Sequence, residues 1–157
     1  MTMTVSDIMK KKLQTIEETA SVQQTAEKMK EKNTSSLVVV DEKGKPLGLV
    51  TERDLARKVC VNRVPPNEVP NKDIMSSPLI TISSDSSPSV AADMMLQHNV
   101  RHLLVIDNSS TNKPIGIITP LDFTRYQEYP NVDDKDAIEK ILEYLDCSLI
   151  HSMRILS

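Results

Sequence analysis

The chain has 157 residues, 39% apolar and 26% charged, with a net charge of -3. That is an ordinary globular balance, enough for one compact domain or two small ones, and the acidic excess argues against duplex nucleic acid, whose binding depends on neutralising phosphates. No apolar run approaches the roughly 20 residues that span a bilayer, Met1 to Met9 lacks the apolar segment of a signal peptide, and Cys60 and Cys147 form neither a C-x-x-C pair nor a disulfide framework. The expectation is a cytoplasmic protein with reduced thiols. There is no Trp and Phe123 is the single Phe, so the core must be built from Ile, Leu, Val and Met.

In chain order, Asp7-Ile8-Met9 precedes a short strand ending at Thr15-Ile16. Val22, Ala26 and Met29 share one face of a helix over about Val22 to Lys32. The unbroken run Leu37 to Val40 reads as a strand covered on both faces. A turn leads to the strand Leu47-Gly-Leu-Val50, and a second helix starts at Thr51. The order then repeats. Asp73-Ile74-Met75, Thr81-Ile82, Ala92, Met95, Asn99 and the run Leu103 to Asp107 all recur at an offset of 66 (7 to 73), with the helix placed at about Val90 to His98. After the aspartates the offset becomes 68 (48 to 116), carrying Gly48, Thr51 and Asp54 onto Gly116, Thr119 and Asp122. The two extra residues fall in a turn, where insertion costs little.

Each copy is therefore β-α-β-β-α, and one such unit is marginal alone. The fold expected is α+β: two βαββα repeats related by a pseudo-two-fold, with their sheets packed together and a helix at the C-terminus. The boundaries follow the pattern: 1–60 for the first repeat, 61–72 for a linker, 73–128 for the second repeat and 129–157 for a helical tail. Arg57 to Lys72, with Pro65, Pro66 and Pro70, reads as a stiff irregular connector. In the tail, Ile138, Ile141, Leu142, Leu145, Leu149 and Met153 form an apolar stripe over Asp133 to Arg154, packed either on its own module or on a second subunit.

The Asp-Ile-Met openings, the run Asn99-Val-Arg-His-Leu-Leu-Val-Ile-Asp107 and the doubled Gly-x-x-Thr-x-x-Asp (Gly48 to Asp54, Gly116 to Asp122) resemble the CBS-domain family, in its tandem arrangement. The resemblance covers Val5 to Arg125. It implies clefts between the two repeats that bind AMP, ADP, ATP or S-adenosylmethionine. It also implies Asp54 and Asp122 on the ribose hydroxyls, Thr51 and Thr119 on ribose or phosphate, and Thr15, Thr34, Thr81 and Val100 lining base pockets. Flat homodimers are common in the family, so a homodimer is implied as well.

The chemistry of the residues agrees. A carboxylate is a bidentate acceptor for a vicinal diol, and a helix start offers N–H groups and a positive dipole end to phosphate. The rival reading is that Thr-x-x-Asp is a helix cap, with Pro120 at the first helical position. An aspartate folded back on its own cap has less to offer a sugar. The copies also differ: Arg101-His102 in the second stands where the first has Ser35-Ser36. Arg101 suits a phosphate and His102 adds charge as pH falls, so the second site is favoured for a phosphorylated ligand, while Arg53 is the first copy's candidate.

His98 and His102 stand four apart with no third metal ligand in view, the methionines Met9, Met29, Met75, Met94 and Met95 read as core filler, and Lys10-Lys11-Lys12 reads as a solvated run. No phosphate loop, nucleophile elbow or acid–base pair marks an enzyme. The expectation is a regulatory module that needs no cofactor, binds an adenine nucleotide and signals to a separate effector protein. The alternatives are an S-adenosylmethionine sensor and an interaction module with degenerate clefts.

Overall fold

The computed structural model describes residues 3–109, 113–123, 139–141 and 143. The chain divides into two compact units. One is Leu13–Leu79, the first-repeat unit; the other joins Met1–Lys12 to Ile80–Ser157, the second-repeat unit. In chain order the elements are α1 (Val5–Ile8), β1 (Thr15–Glu17), α2 (Val22–Lys32), β2 (Ser36–Val40), β3 (Pro46–Thr51), α3 (Glu52–Asp54) running into a π-helix (Leu55–Cys60), a 3-10 turn (Asn71–Asp73), β4 (Thr81–Ser83), α4 (Pro88–His98), β5 (Leu103–Ile106) and β6 (Pro114–Ile118). Residues 120–123 form a further 3-10 turn.

Local chemistry sets the helix ends. Ser21 and Gln24 form a reciprocal box: the Ser21 hydroxyl accepts from the Gln24 amide at 3.2 Å, and Gln24 Oε1 accepts from the Ser21 amide at 2.9 Å. Asn33 closes α2 in the left-handed conformation, φ 49°, as Asn99 closes α4 at φ 51°. The helix expected from Val90 starts at Pro88, capped by Ser87; proline at the first helical position is invisible to an apolar-spacing argument.

Each unit holds a three-stranded sheet in which the first strand runs parallel and the third antiparallel to the second. The edge strands begin at Thr15 and Thr81, where the sequence pattern had them ending. β2 is buried throughout, as its apolar run requires. Leu37, Val39 and Val50 pack with Val22, Met29, Val59 and Ile74 in one core. Leu103, Val105 and Ile118 pack with Val5, Ile8, Met95 and Phe123 in the other. Asp41 and Asp107 tie the hairpin loops: Asp41 Oδ1 accepts from the Lys43 and Lys45 amides, and Asp107 Oδ1 from the Ser109 hydroxyl and the Lys113 amide. The Ser109 hydrogen bond in particular holds the Asp107 carboxyl below its usual range.

The compact units do not follow the sequence repeats, because the segment that opens each repeat packs with the other copy. Ser76 exchanges two backbone hydrogen bonds with Leu49 (2.9 and 3.0 Å), and Lys10 does the same with Ile117 (2.9 and 3.1 Å). This approach explains the motif glycines. A Cβ at Gly48 would lie 2.8 Å from the Ser76 carbonyl oxygen, and one at Gly116 would run into the Lys10 carbonyl. Both glycines are needed for room rather than for an unusual φ.

The stretch expected to be an irregular connector is ordered at both ends. Its first residues, Arg57 to Cys60, continue the helix, and Asn71 near its end is fully buried. Asn71 Oδ1 accepts from the buried Thr25 hydroxyl at 2.6 Å, and its Nδ2 donates to the Glu17 carbonyl at 3.0 Å. The repeat offset carries Thr25 and Asn71 onto Ala91 and Val5, both 0% exposed. One unit thus fills this spot with a hydrogen-bonded pair and the other with an apolar pair.

Of the tail stripe, Ile141 lies in the core of the second-repeat unit, and Lys140 pairs with Asp93 at 3.0 Å. Ile138, Leu142, Leu145, Leu149 and Met153, like Cys147, lie outside the described residues. Met9, Met29 and Met95 are buried in the cores, Met75 and Met94 pack against them, and Lys10 to Lys12 are exposed. No described helix is long and apolar enough to cross a membrane.

Two outcomes are expected in denaturant unfolding. Asn71→Val leaves the Thr25 hydroxyl buried without its partner and costs about 1–3 kcal/mol, and adding Thr25→Ala recovers most of the loss; a double variant no better than the single would refute the pairing. Gly116→Ala costs about 1–3 kcal/mol through overpacking and removes hydrogen-exchange protection at Lys10 and Ile117.

Candidate functional site

The two Gly-x-x-Thr-x-x-Asp corners fold alike. In the first-repeat unit, Asp54 Oδ2 accepts from the Thr51 amide and the Thr51 hydroxyl, both at 3.0 Å, while the Asp54 amide donates back to Thr51 Oγ1 at 3.3 Å. In the second-repeat unit, Asp122 Oδ2 accepts from the Thr119 amide at 2.8 Å and its hydroxyl at 3.2 Å. Both aspartates are buried, at 8% and 3% exposed. The capping geometry weighed against ligand binding is therefore present in both corners. Thr4 and Asp7 at the start of α1 make the same contacts, at 2.8 and 3.1 Å, so the box alone is not the mark of a binding site.

Two expectations change as a result. A grip on a diol by both carboxylate oxygens does not match the geometry, because Oδ2 of each aspartate is engaged by its own threonine. Nor do the helix starts present a fan of open amides to phosphate. In the first corner the Thr51 amide is on Asp54, the Glu52 amide donates to the Ser35 carbonyl at 3.0 Å and the Asp54 amide is on Thr51. In the second, Pro120 has no N–H, and the Asp122 amide donates to the Thr119 carbonyl at 3.0 Å. A phosphate would have to be met mainly by side chains.

Sheet register gathers most of the remaining candidates. Ser36 is buried directly opposite Thr51. Ser35 bonds to the chain just past Thr51, and the half-buried Thr34 donates its hydroxyl to the Ser36 carbonyl at 3.1 Å. These residues and Asp54 share one end of the sheet, with the exposed Arg53 on the turn beside Asp54. Thr15 opens β1, which runs parallel to β2. It pairs with Val38, its carbonyl accepts from Lys28 Nζ at 2.6 Å, and it lines an open depression of about 420 Å³ with Ile16, Glu17, Gln24 and Asp41.

In the second-repeat unit Leu103 pairs with Ile118, and one further step of that register sets the half-buried His102 level with Thr119, next to the half-buried Arg101. Val100 is half-buried against the core, and Thr81 is exposed at the start of β4. Among the described residues no three His, Cys, Asp or Glu side chains gather where a metal could sit.

Sequence reasoning missed Lys58. Its Nζ lies 2.9 Å from Asp54 Oδ1 and donates to the Ile74 carbonyl at 2.6 Å. The four-residue spacing of Asp54 and Lys58 on a helix was the available signal.

The model of the CBS domain matches residues 5–60 and 72–129. An uncharacterised protein of Methanopyrus kandleri is 33% identical over 141 residues, which is 90% of this chain and 71% of that protein. Among solved structures, a conserved CBS-domain protein of unknown function from Thermoplasma acidophilum superposes with a TM-score of 0.76 at 26% identity, covering 93% of this chain and 78% of the other. The CBS-domain pair of protein MJ0100, solved with 5′-methylthioadenosine and S-adenosylmethionine, gives 0.70 at 26% identity, covering 82% and 98%. A CBS-domain protein of Pyrobaculum aerophilum complexed with AMP gives 0.70 at 22% identity, covering 90% and 99%, a likeness of fold. Two matched repeats, each with its own three-stranded sheet and Thr–Asp corner, place this chain in the CBS-domain family as a tandem pair.

Proposed function

We propose that the chain is a regulatory module that binds an adenosine-bearing ligand, an adenine nucleotide (AMP, ADP or ATP) in the first instance, at its Thr–Asp corners. It works without a cofactor and without catalysing a reaction, as a cytoplasmic homodimer that passes its state to a separate effector protein. The observation that carries the reading is the doubled corner: a buried carboxylate, fixed in one orientation by its own threonine, to which a ribose hydroxyl would come. A pre-positioned acceptor loses little freedom when a ligand arrives.

The second corner is the better place for a phosphorylated ligand. Arg101 and His102 stand at the start of the neighbouring strand there, where the first corner has two serines. The roles proposed for Thr81 and Val100 are adenine contacts at the second corner. Thr15 and Thr34 are the counterparts at the first. A second reading, S-adenosylmethionine or a related thioether as ligand, is supported by the likeness to the pair solved with those compounds. Adenosine is common to both classes, so the corner chemistry serves either, and Arg101 tips the balance toward phosphate.

Isothermal calorimetry with AMP, ADP, ATP and S-adenosylmethionine tests the reading, and no heat at millimolar ligand would leave an interaction module instead. Asp122→Asn, which keeps an oxygen for the cap, lowers nucleotide affinity more than Asp54→Asn does. The alanine variants follow the same order, with an added folding cost of about 0.5–2 kcal/mol from the lost cap. Equal losses would remove the asymmetry.

A further inference from the structure

We infer that Lys58 links the first corner to the segment that opens the second repeat, so that a ligand held by Asp54 loosens Ile74 to Ser76. This rests on the ligand reading above and specifies how one of its corners is regulated. Lys58 stands on the π-helix that follows the corner, and its ammonium touches two groups at once: Asp54 Oδ1 at 2.9 Å and the Ile74 carbonyl at 2.6 Å. Asp54 Oδ2 is already held by Thr51, so a sugar hydroxyl must come to Oδ1, the atom that holds Lys58 in place. Hydroxyl and ammonium then share one oxygen, and the second donor draws off charge that had held the first. A lysine that loses its anchor regains the rotamer freedom of a long side chain, and its contact with Ile74 weakens.

Ile74 is where this matters. It is buried in the core of the first-repeat unit, its amide donates to the Asn71 carbonyl, and two residues on Ser76 makes its paired bonds to Leu49. The Lys58 side chain is 42% exposed, so water can take over its ammonium when a ligand arrives at the more buried Asp54. The first corner thus reports occupancy to a packed segment. Reciprocity follows, since whatever stabilises the docked segment opposes binding at Asp54.

The test is hydrogen exchange at residues 74–76 of the full chain, with and without saturating AMP, or S-adenosylmethionine if calorimetry finds that the better ligand. In the unaltered protein the ligand raises exchange there about two- to fivefold, the range of an exposed ion pair. Lys58→Met shows raised exchange without ligand and no further rise with it, while calorimetry still records binding. Lys58→Arg restores the ligand-dependent rise. Binding with unchanged exchange in the unaltered protein, or the same ligand-dependent rise in Lys58→Met, overturns the inference and leaves the ligand reading standing. Failure of AMP, ADP, ATP and S-adenosylmethionine alike to bind the unaltered protein overturns the ligand reading and this inference with it.

Discussion

The close approach of one backbone to another at Gly48 and Gly116 is the constraint around which each unit is assembled. Ser76 and Lys10 come near enough to share two hydrogen bonds each with Leu49 and Ile117 because the adjoining residues lack a Cβ. That contact holds an Asp-Ile-Met segment against the hairpin, lets Ile74 or Ile8 complete a core, and fixes the strand that ends, three residues after the glycine, in the Thr–Asp corner. The same glycine therefore serves docking on one side and the placing of a candidate ligand acceptor on the other.

Under the proposed function each corner asks a structural and a binding role of one side chain. A carboxylate bent back on its cap looks at first like a group lost to ligands. The bonding is divided by atom: Oδ2 belongs to the threonine, while Oδ1 of Asp54 belongs to Lys58. A cap holds the carboxylate in one orientation, and orientation is what a small polar ligand requires of its acceptor. Under the proposed function a single oxygen would meet the sugar, and neighbouring side chains such as Arg101 would carry a larger share of the selectivity.

Much of the fold was legible because its determinants are local. Ser21, Gln24 and Asn33 punctuate α2 within a few residues of its ends, and the apolar runs of β2 and β5 declare burial without reference to anything distant. The repeat offset was equally plain. What it could not convey is partnership: the two Asp-Ile-Met segments look alike, and nothing in their spacing says which hairpin each will meet. Asn71 was hidden for a related reason, since a polar residue after three prolines reads as solvent-facing until Thr25, far back in the chain, supplies its partner. At the site, the pattern named the threonines and aspartates correctly as neighbours but left cap against ligand open, and the lysine that ties Asp54 to Ile74 needed coordinates to be seen.

The crossed docking of the opening segments also sets an order of events during synthesis. Lys10 is made long before the strand that receives it, Pro114–Ile118, so the second-repeat unit closes only after the first-repeat unit has been made. The first-repeat unit needs nothing beyond Leu79 and can close while its neighbour is still being made. Cutting the gene at the visible repeat boundary would separate each sheet from the piece that seals it, so neither half is a natural unit of truncation, fusion or exchange.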